Sequence, residues 1–186
     1  MSVSSTARNK MVTYATTNCS KNQPSSGNSS LAPYYDFSHI SGAYDCTNFI
    51  SHCLLAGGAV ENHNGWYYDG DKGRSASWTG VVQFYNFIVS NTGKGPKGKG
   101  NGLKYACPPS EVNWQKGDII QIKYTDVFRH STIITGTYAP NAYSTIPKIT
   151  SRTADNNYKK NVALTSAYPI GQGVKEYRLI NITSLT

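Results

Sequence analysis

Cys46 stands near the start of the run AYDCTNFISHCLLAGG (43–58), directly after Asp45. Cysteine attacks a carbonyl carbon as thiolate, because the thiol is a poor nucleophile. The unpaired N–H groups and positive dipole end of a helix start favour thiolate. Asp45 is a good N-cap and Gly57–Gly58 a good stop, so the run reads as a helix with Cys46 in its first turn. Phe49, Ile50, Cys53 and Leu54 fall on one helical face, and Cys46, three residues before Phe49, shares it. An activated thiol in that place should alkylate fast near pH 6. Cys53 lies two turns deeper and reads as inert. Cys19 sits in a polar stretch and Cys107 before a Pro-Pro pair, and neither has activating surroundings. These three read as small buried hydrophobes, with a disulfide between two of them left open.

A nucleophilic thiol needs a base. His130 opens HSTIITGT (130–137), a strand-like segment that would hold it rigidly. Alternation puts His130, Thr132 and Ile134 on one face and Ser131, Ile133 and Thr135 on the other. His39 and His63 read as loop residues, and His52 as a surface residue in mid-helix. The chemistry indicated is therefore nucleophilic catalysis by a cysteine at a helix start with a histidine at a strand start. Other chemistries lack support. There is no CxxC pair, no HExxH, and GKGPKGKG (93–100) lacks the Gly-Lys-Ser/Thr ending of a phosphate loop. No metal and no cofactor is expected.

Several elements must position these residues. Residues 5–17 have the composition of a modest helix, and 20–30 are polar and turn-rich. Residues 59–77 read as a long loop. SASWTGVVQFYNFIVS (75–90) reads as a second amphipathic helix, capped by Ser75 or Ser77, with Val81, Phe84, Tyr85 and Ile88 as its buried stripe. Residues 92–102 read as a flexible basic loop. Strands follow: Ile119–Ile122 after a Lys116-Gly117-Asp118 turn, then 130–137, then near 145–152 and 175–182. Helices first and a strand meander second argue for an α+β fold with helices packed on an antiparallel sheet. The chain, 186 residues long, fits a single domain, 1–186, whose first 42 residues are an N-terminal helix and loop. That length can bury a core without staples.

The formal net charge is +8. Residues 1–90 hold five Lys/Arg and five Asp/Glu, whereas 91–186 hold thirteen and five, so the excess belongs to the second half. Such a surface attracts polyanions or merely aids solubility. Binding of nucleic acid would rest on charge alone, without a recognised module. No apolar run reaches the length of a membrane span, and MSVSSTARNK is not of signal-peptide type.

The segments DCTNFISHCLLAGG, GWYY, SASWTGVVQFYNFI, KGDIIQI and RHSTIITG, in this order, resemble the "Putative amidase domain" family of bacterial cell-wall proteins. That family is similar to the NlpC-type and CHAP-type peptidases. The likeness is good over 43–137 and weaker to 182. It implies a papain-like, NlpC-type core with Cys46 as nucleophile and His130 as base. Relatives orient the imidazole with a polar residue on the following strand, usually in a His-Thr stretch followed by Asp. Here that stretch reads Ser151-Arg152-Thr153-Ala154-Asp155, which points to Asp155, with Asn156 as the alternative. Arg152 stands where the histidine would be, and a guanidinium has no acceptor for an imidazole N–H. Restoring that histidine by Arg152→His should be tolerated. The oxyanion would be held by the backbone N–H of Cys46, with Asn48 as a side-chain candidate. Trp66, Tyr67 and Trp78 could stack on sugar rings or a peptide stem, although core packing suits Trp78 as well. The implied function is hydrolysis of an amide bond of peptidoglycan, either sugar–peptide or within the stem. The protein would be an exported, cell-wall-associated or extracellular bacterial monomer whose partner is peptidoglycan or another anionic wall polymer. The alternatives are a degenerate wall-binding module, suggested by Arg152, and a toxin or effector amidase acting elsewhere.

Overall fold

A computed structural model describes residues 2–21, 37, 44–69, 73–154 and 156–186. Asp155, His39 and most of the polar stretch 20–30 lie outside the described residues. The first helix, α1, spans Ser5–Asn18, and the Ser4 hydroxyl caps it by accepting from the Ala7 amide (3.2 Å). The helix of Cys46, α2, spans Cys46–Ala56 and stops at Gly57. Gly58 follows with φ +98°, a conformation that favours glycine. The expected helix 75–90 is instead two: α3, Ala76–Thr79, and α4, Val81–Ser90. Gly80 is extended between them and breaks the hydrogen-bond ladder. Ser75 does not cap α3; its hydroxyl accepts from the Tyr67 amide (3.1 Å). Of the expected stripe, Phe84 and Ile88 are fully buried.

Six strands follow: β1 (Lys97–Asn101), β2 (Ile119–Tyr124), β3 (Val127–Asn141), β4 (Ser144–Ala154), β5 (Asn157–Ala163) and β6 (Val174–Ser184). A one-turn helix, α5 (Leu164–Ala167), lies before β6. The strands form one antiparallel sheet in the order β1-β6-β2-β3-β4-β5. The fold class is thus α+β, as expected. The basic "loop" is a correction, because half of it is the edge strand β1. Its glycines let it lie close to its neighbours: a Cβ on Gly98 would collide with Ile180, and one on Gly100 with the Tyr85 hydroxyl.

The sheet is covered on both faces. On one face Ile119, Ile133, Ile180 and Ile182 pack with Met11, Phe49, Leu54, Phe84 and Ile88 from α1, α2 and α4. On the other, Ile120, Ile122, Ile134, Ile149 and Leu179 pack with Trp114 and with Leu164 of α5. This division follows the pleat, since neighbours along a strand face opposite ways. The Lys116–Asp118 turn joins the layers. Gly117 has φ +86°, and buried Asp118 pairs with Arg8 of α1 at 2.7 Å. Asp118 also accepts from the amides of Gln115 (2.9 Å) and Ile182 (3.0 Å).

Candidate functional site

The paired stretch of β3 and β4 ends at Ile133↔Thr150, and the start of α2 occupies the space beyond it. The Asp45 amide donates to the Thr153 carbonyl of β4 (3.0 Å). On the β3 side the Ser131 hydroxyl lies 3.0 Å from Thr47 Oγ1, the residue after Cys46 in α2. One residue before Ser131 stands His130. The two strands therefore hold the helix start between them, and Cys46 and His130 line adjoining cavities. Two cavities meet there. One, of about 230 Å³, is lined by Cys46; the other, of about 360 Å³, by His130; Tyr44 and Arg129 line both.

Asp45 does not act as the expected side-chain cap. Its carboxylate is fully buried and pairs with the equally buried Arg152 (Nε–Oδ2 3.2 Å). It also accepts from the Asn48 side chain (2.9 Å) and the Phe37 amide (3.2 Å). Arg152 donates in addition to the carbonyls of Cys19 (3.2 Å) and Lys21 (3.0 Å) beyond the end of α1. A burial cost of this kind is met only when both charges are paired and hydrogen-bonded. Arg152 is thus a clamp between α1, α2 and β4.

His130 is oriented from a different quarter. Its Nε2 lies 2.8 Å from the Tyr168 hydroxyl, which lies 3.0 Å from Ser151 Oγ. Tyr168 follows α5 and was missed in the sequence, where nothing in KNVALTSAYPI marks it. The expected partner Asp155 lies outside the described residues, and Asn156 is an exposed turn residue at φ +59°. The neighbouring tyrosine alone occupies Nε2 among the described residues.

Cys46 and His130 both rest neutral. Burial pushes the Cys46 thiol up, although the Ser131 amide and the Thr47 hydroxyl act the other way. Burial likewise lowers the His130 imidazole from 6.5 to about 4. The expected activation by the helix start is thus opposed by desolvation: Cys46 is only 2 % exposed. No thiol–imidazole hydrogen bond forms among the described residues. Burial also pushes Tyr168 up to about 12, against the Ser151 hydrogen bond, so its phenol keeps its proton.

A chain of polar groups, buried from Gln121 inward, backs Cys46. Arg178, stacked on Tyr85 and Phe128, donates to Gln121 Oε1 (Nε, 2.8 Å). Arginine can only donate, so this fixes the Gln121 amide. Its nitrogen then donates to Ser131 Oγ (3.1 Å) and the Val81 carbonyl (2.9 Å). Ser131 Oγ lies 3.0 Å from Thr47 Oγ1, which faces Cys46 Sγ at 3.8 Å.

The expected substrate contacts are corrected by burial. Trp66 and Trp78 are fully buried with ring centroids 4.5 Å apart, leaving no face for a substrate. Both polar ends of Asn48 are used inside, by Asp45 and by the Trp78 indole N–H (2.7 Å), so it is not an oxyanion donor. Tyr67 is half-buried and stacked on His63 at 5.0 Å. His52 is buried rather than on the surface, edge-on to Tyr68 and Trp78, and burial lowers it to about 3. All four cysteines are free and buried, and burial raises Cys53 well above its ordinary value. Among the described residues no three His, Cys, Asp or Glu side chains converge as metal ligands, and no helix is long and apolar enough to cross a membrane.

No curated protein and no solved structure matches the chain significantly. A family is nevertheless shown: the sequence model described as "Putative amidase domain" matches residues 5–174, and the chain belongs to that family, whose named chemistry is the hydrolysis of amide bonds.

Proposed function

We propose that this protein is a cysteine hydrolase that cleaves an amide bond of bacterial peptidoglycan, with Cys46 as nucleophile and His130 as base. The observation that supports the reading is the Thr47–Ser131 hydrogen bond (3.0 Å), which ties the first turn of α2, with Thr47 facing Cys46 Sγ, to the β3 residue next to His130. For His130 to take a proton at Nδ1, its Nε2 must carry the hydrogen and donate it to Tyr168. Tyr168 then donates to Ser151, a polarity that suits a protonated phenol.

In the reaction, the Cys46 proton passes to Nδ1 as sulfur bonds to the amide carbon. The backbone N–H of Cys46, in the first turn of α2 and so without an intrahelical acceptor, steadies the oxyanion. The imidazolium returns the proton to the leaving amine, the C–N bond breaks, and a thioester remains. Water, losing its proton to His130, then releases the acid and regenerates the thiol. Because thiol and imidazole rest neutral, the proton moves to Nδ1 only as sulfur attacks the carbonyl carbon, not before. Arg152, the ground for a degenerate binding module, is occupied by Asp45 and stands outside this machinery. An exported or wall-associated location goes with the proposed substrate.

The test is mass spectrometry of muropeptides after digestion of purified walls. The wild-type protein should release new amine and carboxylate ends at one bond, and Cys46→Ala should release none while remaining folded. Full turnover by Cys46→Ala would sink the mechanism. A folded wild-type protein that leaves walls uncut but hydrolyses another amide would move the substrate and keep the chemistry.

A further inference from the structure

The positive charge that counts at the site is not the Gly-Lys run. Lys97 and Lys99 lie on β1, at the opposite sheet edge from β5. The cavity of about 360 Å³ at His130 is lined by two other cations, Arg129 and Lys159, and by no Asp or Glu among the described residues. Arg129 precedes His130 and lines the Cys46 cavity as well. Lys159 stands on β5 opposite Ser151, the residue that holds Tyr168 against His130. Neither cation forms an ion pair among the described residues. The remaining wall includes Tyr44, Tyr124 and Asn157, which offer ring faces and neutral hydrogen-bonding groups.

Two cations without carboxylate partners among the described residues, in a concave site, suit one small planar anion. An Arg fork binds a carboxylate through two N–H bonds, and a lysine adds a point charge. We propose that this cavity is a carboxylate subsite: Arg129 and Lys159 hold an acidic group of the substrate within a residue or two of the amide that Cys46 attacks. The substrate is then an acidic peptide, and its charge sets the register of the scissile bond. This rests on the Cys46–His130 reading, because the subsite is defined by its place beside that pair.

The test is calorimetric binding to the Cys46→Ala protein, which separates recognition from turnover. The probes are a synthetic tetrapeptide, Ala-γ-Glu-Lys-Ala, with free carboxylates, and the same peptide with both carboxylates amidated. The free acid should bind at least tenfold tighter, with the advantage shrinking at high salt. The exposed pair of changes Arg129→Gln and Lys159→Gln should erase it, with an unchanged circular dichroism spectrum. Equal affinity of the two peptides, absence of binding by both, or an advantage that survives in the double variant overturns the subsite. So does tighter binding of glycerophosphoglycerol, which would assign the cations to a phosphodiester. If wild-type protein fails to cut walls while the acid preference stands, the peptidoglycan reading falls and the subsite does not. Cutting without any acid preference has the reverse meaning.

Discussion

Arg152→Met should weaken the fold by about 3–5 kcal/mol, as loss of one partner of a buried ion pair does. Both side chains of the Arg152–Asp45 pair are fully buried, so water cannot replace the lost cation. Asp45 would keep the Asn48 and Phe37 donors, which lower the penalty without neutralising the charge. The carbonyls of Cys19 and Lys21 would also lose their guanidinium donor. For a chain of this size each kcal/mol shifts the melting temperature by roughly 2–4 °C, so a fall of about 10 °C is expected. Arg152→His should fare little better, against the expectation that it restores a family residue. An imidazole has at most two N–H donors where the guanidinium has five. Urea denaturation of wild type, Arg152→Met, Asp45→Asn and Asp45→Asn/Arg152→Met checks this. The double change removes the stranded charge and should recover a good part of the loss. A single variant within 1 kcal/mol of wild type, or a double variant weaker than the sum of its single changes, would refute the clamp.

Tyr168→Phe should lower kcat about ten- to a hundredfold with KM little changed, because it removes a hydrogen bond to a group that becomes charged in the reaction. Steady-state kinetics and His130 tautomer signals in nitrogen NMR check this, and an unchanged kcat would return the orienting role to another residue. The folded-state values of His52 and His130 are lowered, so the unfolded chain binds more protons between about pH 6.5 and 4. Stability should therefore fall as pH drops through 6.5, by roughly 1 kcal/mol per histidine at pH 5.5; urea midpoints at pH 7.5 and 5.5 measure it. For the same reason the acid limb of kcat/KM should lie near 4, not near the ordinary 6.5. Cys46 in the free protein should alkylate slowly with iodoacetamide near pH 6, and a rate above that of an ordinary thiol there would contradict the neutral resting pair. Changing Lys94, Lys97, Lys99 and Lys104 to Gln should shift KM less than twofold even at low salt, since β1 lies across the sheet from β5.

What is local in physics was legible in the sequence. A 3.6-residue stripe and a Gly-Gly stop place Cys46 at the start of α2, and a β-branched run places His130 on β3. The same alternation assigns Ile133 and Ile134 to opposite faces of the sheet, where the two cores hold them. What depends on partners distant in the chain was not legible. KGKGN has the composition of a loop and became β1 because β6 supplied its hydrogen bonds and α4 accepted its bare glycines. Arg152 read as a defect of the site until Asp45, 107 residues away, gave it a charge to bury. Tyr168 carries no local mark, since its role comes from the return of the chain past α5 to His130, 38 residues away. The state of the thiol was likewise undecided by its position: a helix start favours thiolate locally, but desolvation depends on everything packed around Sγ, and only the tertiary structure determines that balance.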